Sequence, residues 1–80
     1  MFFVYILYSK SRKSYYIGAT KRIEERMVEH NKGLSRSTKA GIPWDLIYSE
    51  KHGTMSAARA REKFFKSGKG REARKQLLPR

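Results

Sequence analysis

The stretch VYILYSKSRKSYYIG at residues 4–18 decides the fold of this chain. It contains most of two apolar, aromatic runs, residues 2–8 and 15–19, and each run predicts a β-strand. The polar segment between the two runs predicts a hairpin loop. Because hairpin strands pair antiparallel, we expect Tyr5 and Tyr16 to be neighbours whose hydroxyl groups point at one spot.

A helix is predicted directly after the second strand, over about residues 21–32. Thr20 is its expected N-terminal cap, and Gly33 is its expected stop. The core-facing stripe of this helix consists of Ile23, Met27 and Leu34. A second stripe at i, i+4 spacing consists of Arg22, Arg26 and His30. Arg26 and His30 are therefore expected to project over the sheet where the tyrosines emerge.

A third strand is predicted over residues 44–51, after a polar and basic loop at residues 34–42. Alternation along this strand places Leu46 and Tyr48 on one face and Ile47 on the other.

Two helices are predicted after the third strand. Thr54 is expected to cap a helix over about residues 55–67 that stops at Gly68, and Gly70 then separates a last short helix. That short helix contains Ala73, Leu77 and Leu78. The order ββαβαα predicts an α+β fold, in which a small three-stranded antiparallel sheet is flanked by helices. We expect one domain over residues 1–80.

Charge is the strongest global property of the sequence. Nineteen Lys and Arg oppose seven Asp and Glu, which gives a net charge of +12 on 80 residues. This excess predicts attraction to a polyphosphate, and nucleic acid is favoured over an anionic membrane. The chain has no cysteine, which excludes disulfides and thiolate zinc sites. We expect a cytoplasmic protein, because the longest apolar run is too short to span a bilayer. We also expect a monomer.

Six motifs, in the right order and spacing, resemble the GIY-YIG nuclease family. They are Val4-Tyr5-Ile6, Tyr16-Ile17-Gly18 leading into Ala19-Thr20, Arg26, Glu29-His30-Asn31-Lys32-Gly33, Pro43-Trp44 with the strand that follows, and Ala58-Arg59-Ala60-Arg61-Glu62-Lys63. The resemblance covers nearly the whole chain and is greatest to the small single-domain branch of that family. It implies the same α+β fold that the pattern of elements predicts.

The resemblance also implies a reaction and a set of site residues. The reaction is in-line attack of water on a phosphodiester with one divalent metal ion, Mg²⁺ or Mn²⁺. The implied roles are activation or positioning of the water by Tyr5 and Tyr16, binding of the scissile phosphate by Arg26, support of the site by His30, and metal ligation by Glu62.

Glu62 suits a site that holds one metal ion. Magnesium keeps most of its waters and needs only one protein oxygen besides phosphate oxygens. Glu62 shares a helical stripe with Ala58 and Phe65, so its carboxylate is predicted to be partly buried and to face the sheet. The structural alternative is an ion pair with Arg59 or Lys66.

The role of tyrosine in activating water has two explanations. A phenol with a pKa of about 10 is protonated at neutral pH. Either Arg26 and the metal lower the pKa of Tyr5, or Tyr5 only orients the water and its proton passes elsewhere, for example to His30. The remaining aromatic and histidine side chains are expected to pack structurally, and these are Tyr8, Tyr15, Trp44, Tyr48 and His52.

A basic surface is predicted to follow the nucleic-acid backbone. Its residues are Arg22, Arg36, Thr38, Lys39, Lys63, Lys66, Lys69 and Arg71. Few aromatic residues accompany them, so their contacts should be to phosphate and not to bases.

The leading hypothesis is a metal-dependent endonuclease that acts on branched, nicked or damaged DNA. Because no added DNA-binding domain is expected, the alternatives for targeting are that the chain cuts weakly, that it acts only on unusual structures, or that it depends on a protein partner. The alternatives are a nucleic-acid adaptor with the same fold but little or no activity, and an RNA-binding protein associated with the ribosome. Convergence of Tyr5, Tyr16, Arg26 and Glu62 on one cleft would separate the first hypothesis from the others.

Overall fold

The three strands form one antiparallel sheet in which the first strand of the chain lies between the other two. The structure is a computed structural model and describes residues 1–77. Its elements are β1 (Phe2–Ser9), β2 (Ser14–Thr20), α1 (Ile23–Asn31), a 3₁₀ helix (Lys39–Gly41), β3 (Trp44–His52), α2 (Met55–Lys66) and α3 (Gly68–Lys75). The predicted order ββαβαα and the predicted α+β class are confirmed.

Strand β1 lies in the middle of the sheet and is covered on both faces. Its alternate residues Val4 and Ile6 belong to a core cluster with Phe65 of α2, which we call the α2 face. Tyr5 and Leu7 belong to a second cluster with Trp44, packed against α1, which we call the α1 face. A strand buried on both faces needs apolar side chains at every position, as the continuous run in the sequence predicted.

The start of helix α1 differs from the prediction. The helix begins at Ile23, and Arg22 occupies the capping position without a side-chain hydrogen bond to the helix. The Thr20 hydroxyl instead accepts from the backbone N–H of Arg22, because β2 continues through Thr20. At the other end, Gly33 follows the helix with φ +77°, as the predicted stop requires.

Leu34 is not part of the core-facing stripe of α1, contrary to the prediction. The helix ends at Asn31, so the helical period no longer sets the direction of the Leu34 side chain, which is 71% exposed. Ile23 and Met27 do pack against the α1 face.

A β-bulge overturns the predicted alternation in β3. Ile6 pairs with Tyr48, but Leu7 pairs with Leu46, so Ile47 is an extra residue on β3. Ile47 and Tyr48 both pack against the α2 face, whereas Leu46 is 43% exposed. The extra residue breaks the period of two on which the prediction depended.

The boundary between the last two helices also differs from the prediction. Gly70 lies inside α3, and Ser67 both ends α2 and caps α3 by accepting from the backbone N–H of Gly70. The predicted cap of α2 is confirmed, since the Thr54 hydroxyl accepts from the backbone N–H of Ala57. Leu77 lies just beyond α3 and packs against the α2 face, and Leu78 lies outside the described residues.

None of the helices within residues 1–77 is long and apolar enough to cross a membrane.

Candidate active site

Tyr5 is held against the backbone of β2 and forms the floor of the site. Tyr5 pairs with Gly18, and its ring lies across that glycine. A Cβ atom at position 18 would lie 2.5 Å from the Tyr5 hydroxyl oxygen and 2.6 Å from the ring carbon that bears it. A glycine opposite Tyr5 is therefore required for this position of the ring.

Tyr16 lies beside Tyr5 on the α1 face. The two ring centroids are 6.3 Å apart, which agrees with the expectation that the hairpin makes these residues neighbours. Tyr16 also contacts the ring of His30 edge-on, at a centroid distance of 4.9 Å. These contacts bring strands β1 and β2 and helix α1 together at one point.

Arg26 projects from α1 over the two tyrosines. Its guanidinium group donates to the Glu29 carboxylate at 2.8 Å, and this bond is the main reason that the pKa of Arg26 is raised. The Tyr5 and Tyr16 hydroxyl groups beside it contribute to the same shift. The Arg26 side chain remains 34% exposed, so a permanent positive charge borders the tyrosine hydroxyls and still faces solvent.

His30 is fully buried directly behind Tyr5. Its Nε2 atom lies 3.0 Å from the Tyr5 hydroxyl oxygen, and its Nδ1 atom lies 2.7 Å from the Thr38 hydroxyl oxygen. Burial lowers the pKa of His30, and the charge of Arg26 lowers it further. His30 is therefore a neutral imidazole at neutral pH, with one nitrogen free to accept a proton.

Burial decides the protonation state of Tyr5. Burial and the neighbouring Tyr16 raise the pKa of Tyr5 to about 12, and the opposing effect of Arg26 is smaller. Arg26 alone therefore does not bring the pKa of Tyr5 below its ordinary value. The Tyr5 hydroxyl is protonated at neutral pH, and its oxygen lies within hydrogen-bond distance of Nε2 of His30.

Glu62 reaches the site from α2. Its negative charge contributes to the raised pKa of Tyr5, so the carboxylate lies within electrostatic reach of that hydroxyl group. The Glu62 side chain is 17% exposed, and one carboxylate oxygen accepts from the Lys66 ammonium group at 2.8 Å. The ion pair with Lys66, which was the structural alternative, is thus present.

The donor set around Glu62 fits a cation that keeps most of its water. No group of three or more His, Cys, Asp or Glu within residues 1–77 is placed to hold a metal ion. A single half-buried carboxylate with one oxygen engaged by Lys66 leaves its other oxygen for a ligand. This arrangement suits Mg²⁺ or Mn²⁺ bound mostly by water and substrate, and it does not suit zinc.

The site therefore brings together two tyrosines, an arginine and a histidine, with the Glu62 carboxylate within electrostatic reach. The family model for the GIY-YIG catalytic domain matches residues 1–76. The chain belongs to the GIY-YIG family. That family consists of nucleases, which generally use divalent metal ions.

The chain is also similar to a small protein of about its own length. The chain is 35% identical over 66 residues to a UPF0213 protein of Natronomonas pharaonis, and the match covers 81% of this chain and 76% of the relative. No solved structure matches the chain at a comparable level of significance.

The predicted basic surface is exposed at all positions except one. The exposed positions are Arg22, Arg36, Lys39, Lys63, Lys66, Lys69 and Arg71. Thr38 is the exception, because it is fully buried and its hydroxyl group contacts His30. The prediction that Thr38 contacts nucleic acid is therefore corrected: Thr38 lies behind the site and not on its surface.

Sequence reasoning missed the residues that hold the back of the site. The Asn31 side-chain carbonyl accepts from the Trp44 backbone N–H at 2.7 Å, and its amide donates to the Trp44 carbonyl at 3.2 Å. The Trp44 indole N–H donates to the Thr38 carbonyl at 2.6 Å, and the Trp44 ring is buried as predicted. Asn31 directly follows His30 in the sequence, but nothing in its spacing points to Trp44.

A second polar cluster, also missed, joins β3 to α2. The Glu50 carboxylate accepts from Tyr48 at 2.6 Å, from His52 at 2.5 Å and from Arg61 at 3.0 Å. Burial alone would raise the pKa of Glu50, but these three hydrogen bonds outweigh it and the pKa is lowered. His52 therefore has the structural role that the sequence predicted.

Proposed function

We propose that the protein is a metal-dependent endonuclease that hydrolyses DNA phosphodiester bonds, with branched, nicked or damaged DNA as its substrate. The observation that supports this best is the Arg26 guanidinium beside the hydroxyls of Tyr5 and Tyr16, with the Glu62 carboxylate in electrostatic reach. A cation, two oriented hydroxyls and a carboxylate are the groups that hydrolysis of a phosphodiester needs.

In the proposed mechanism Arg26 binds the scissile phosphate. Its planar fork matches two phosphate oxygens, and it stabilises the charge that grows on them in the transition state. The ion pair with Glu29 fixes the direction of the guanidinium before the substrate arrives. Preorganisation of this kind lowers the cost of ordering the arginine when the phosphate binds.

The proton of the attacking water leaves through Tyr5. As the water oxygen bonds to phosphorus and the bond to the leaving oxygen breaks, the water proton passes to the Tyr5 oxygen. The Tyr5 hydroxyl proton passes at the same time to Nε2 of His30, which lies 3.0 Å away. Tyr5 therefore never needs to exist as a free phenolate, which agrees with its raised pKa. In this mechanism Tyr16 helps to orient the attacking water.

Glu62 would hold the divalent ion. When bound, the ion would neutralise negative charge on the phosphate and on the leaving oxygen. For Glu62 to serve as the ligand, the Lys66 ammonium must share or leave the carboxylate. Lys66 is exposed and flexible, so this rearrangement costs little.

The exposed basic residues would bind the nucleic-acid backbone. Contacts of this type give affinity without base recognition, so the shape of the DNA and a targeting partner would determine where cleavage occurs. We extend the proposal to a cytoplasmic monomer, as the sequence predicted.

The second candidate function is a nucleic-acid adaptor that binds without cutting. The ion pair between Glu62 and Lys66 favours it, because it neutralises the carboxylate that the metal requires. An RNA-binding role follows from the same basic surface and differs only in the preferred nucleic acid.

A substrate panel tests the proposal. Labelled single-stranded, duplex, nicked, flap and four-way-junction DNA, and duplex RNA, are incubated with the protein in Mg²⁺, Mn²⁺ or chelator. We expect cleavage of a DNA structure that requires metal, together with binding that weakens as salt rises. Salt-sensitive binding without cleavage under either metal would support the adaptor, and preference for duplex RNA would support the RNA-binding role.

A further inference from the structure

A chain of buried hydrogen bonds runs from the site into the loop before β3. It links Tyr5, His30, Thr38 and the Ser35 carbonyl, with distances of 3.0, 2.7 and 3.4 Å in that order. His30 and Thr38 are fully buried, so the two hydrogen bonds of His30 are shielded from solvent, and the bond to the Ser35 carbonyl is partly buried. Each hydroxyl and the imidazole must share their protons within this chain.

The inner end of the chain sets one direction of proton donation. The Ser35 carbonyl can only accept, so the Thr38 hydroxyl donates its proton to that oxygen. The Thr38 oxygen is then left to accept from Nδ1–H of His30 at 2.7 Å. A neutral imidazole carries one N–H, so Nε2 of His30 is an acceptor and faces the Tyr5 hydroxyl.

The outer end of the chain sets the same direction independently. Arg26 has only donors and lies beside the Tyr5 oxygen. If the imidazole proton of His30 were on Nε2, the Tyr5 oxygen would face two donors, the Arg26 guanidinium and the His30 N–H. The Tyr5 hydroxyl proton would then find no acceptor in either group. With Nε2 as acceptor, Tyr5 accepts from the Arg26 side and donates to His30, so every group is satisfied.

We propose that Thr38 is a positioning residue that holds His30 in the Nδ1–H tautomer, with Nε2 presented to Tyr5 as a proton acceptor. The catalytic consequence rests on the proposed nuclease function, but the tautomer itself does not. Thr38 never touches the substrate and acts only through His30.

Thr38 is anchored firmly enough to do this. Its carbonyl accepts from the Trp44 indole at 2.6 Å and from the Gly41 backbone N–H at 3.1 Å. Its own backbone N–H donates to the Ser35 carbonyl at 3.2 Å. The Trp44 ring lies so close to Gly41 that a side chain there would overlap it. The loop therefore has little freedom to move the hydroxyl away from His30.

The imidazole nitrogen chemical shifts of His30 test the proposal directly. They are measured by NMR in the wild-type protein, in Thr38→Val, which keeps the shape but removes the hydroxyl, and in Thr38→Ser, which restores it. We expect protonated Nδ1 in the wild type and in Thr38→Ser, and loss of that preference in Thr38→Val. A wild-type His30 protonated on Nε2, or a Thr38→Val spectrum unchanged from wild type, would overturn the proposal.

Single-turnover cleavage adds a readout that a purely structural role would not change in the same way. We expect Thr38→Val to slow cleavage about tenfold or more without weakening DNA binding, and Thr38→Ser to recover most of the rate. The amide NMR spectrum of each variant shows whether the variant is folded. If Thr38→Val does not fold, the His30 tautomer measured in the wild type tests the proposal. If Thr38→Val changes the His30 tautomer as expected but the wild-type protein never cuts DNA, only the nuclease function is contradicted. Cleavage with an unchanged tautomer would contradict only the role of Thr38.

Discussion

At the scale of single residues, the site depends on how one tyrosine is surrounded. Tyr5 is buried against Gly18, is hydrogen-bonded to His30 and lies beside Arg26. Burial keeps its hydroxyl protonated, and His30 is kept neutral by the same burial. A neutral acid and a neutral base that are held in contact can transfer a proton during the reaction, so neither group has to be charged before the reaction starts.

Replacement of Tyr5 by Phe should abolish most of the activity. The variant removes the hydroxyl that relays the water proton in the proposed mechanism, so we expect cleavage to slow by about 100-fold or more. It also leaves Nε2 of His30 without its donor, which should destabilise the fold by about 1–3 kcal/mol. Single-turnover cleavage and urea unfolding measure the two effects. Tyr8→Phe, which removes a hydroxyl outside the site, is the control, and equal losses in both variants would contradict the role of Tyr5.

Gly18→Ala tests whether the glycine positions the Tyr5 ring. The new methyl group would overlap the Tyr5 hydroxyl and force the ring to move. We expect a loss of about 1–3 kcal/mol in the free energy of unfolding and a break in the hydrogen bond to His30. Gly53→Ala is the matched control, because a Cβ there meets nothing within 4 Å. If Gly18→Ala were as stable and as active as the control, this account of Gly18 would be wrong.

Sequence alone was enough to make Tyr5 and Tyr16 neighbours, since a short hairpin and the period of two put both on one face; the register makes them diagonal neighbours, with Tyr5 opposite Gly18. The same is true of Arg26 and His30, which share a helical stripe. Thr38 was misplaced because its position depends on the path of a loop, which no local period describes. From the sequence, Thr38 is expected to be a polar surface residue, because only the folded path of the loop brings it against His30.

At the scale of elements, close backbone contact fixes how α3 packs on α2. A Cβ atom at Gly70 would overlap the backbone carbonyl of Phe64 and the Cα atom of Phe65. Backbone atoms cannot rotate aside as a side chain can, so only glycine permits the observed approach of the two helices.

Gly70→Ala should therefore separate α3 from α2. We expect a loss of about 1–3 kcal/mol in the free energy of unfolding, measured by urea denaturation. Gly68→Ala, two residues earlier in the same helix, has open space around its Cβ. It should be neutral or stabilising by about 0.5–1 kcal/mol, because alanine favours helix more than glycine does. Equal effects from the two substitutions would contradict the close packing of the helices.

The elements themselves were largely predictable, and their ends were not. Hydrophobic periodicity and the Thr54 cap gave the correct helices and strands. The bulge at Ile47 could not be foreseen, because both faces of β3 carry apolar residues and one extra residue leaves the pattern plausible. Gly70 was read as a helix breaker, whereas tertiary packing against α2 makes a small residue favourable inside α3.

At the scale of the whole molecule, the buried His30 and the partly buried Glu50 link stability to pH. The pKa of His30 is lowered from its ordinary value of 6.5 by burial and by Arg26, with Glu29 opposing in part. The pKa of Glu50 is lowered from 4.5 by its hydrogen bonds, although burial opposes them. In both cases the unfolded chain binds more protons than the folded chain just below the ordinary pKa, so stability falls as pH falls.

Acid should therefore weaken the fold in two stages. The contribution of His30 is present above pH 6.5 and is lost as pH falls below that value. The contribution of Glu50 is lost only as pH falls below 4.5. Urea unfolding as a function of pH measures both stages. His30→Gln should flatten the upper stage and leave the lower one, and Glu50→Gln should do the opposite. A stability that stays constant as pH falls below 6.5 would contradict the neutral, buried state of His30.

The measurement that tests the central claim most directly compares two carboxylates. Wild type, Glu62→Gln and Glu72→Gln are assayed for cleavage and for binding of the same labelled DNA, with Mg²⁺ or chelator. Glu72 is the matched control, since it also pairs with a lysine but its side chain is 77% exposed.

We predict metal-dependent cleavage by the wild type and by Glu72→Gln, and a loss of about 100-fold or more in Glu62→Gln with binding retained. Cleavage that survives in Glu62→Gln, or a wild type that binds DNA and never cuts it with metal present, would contradict the claim that this site is a nuclease centre.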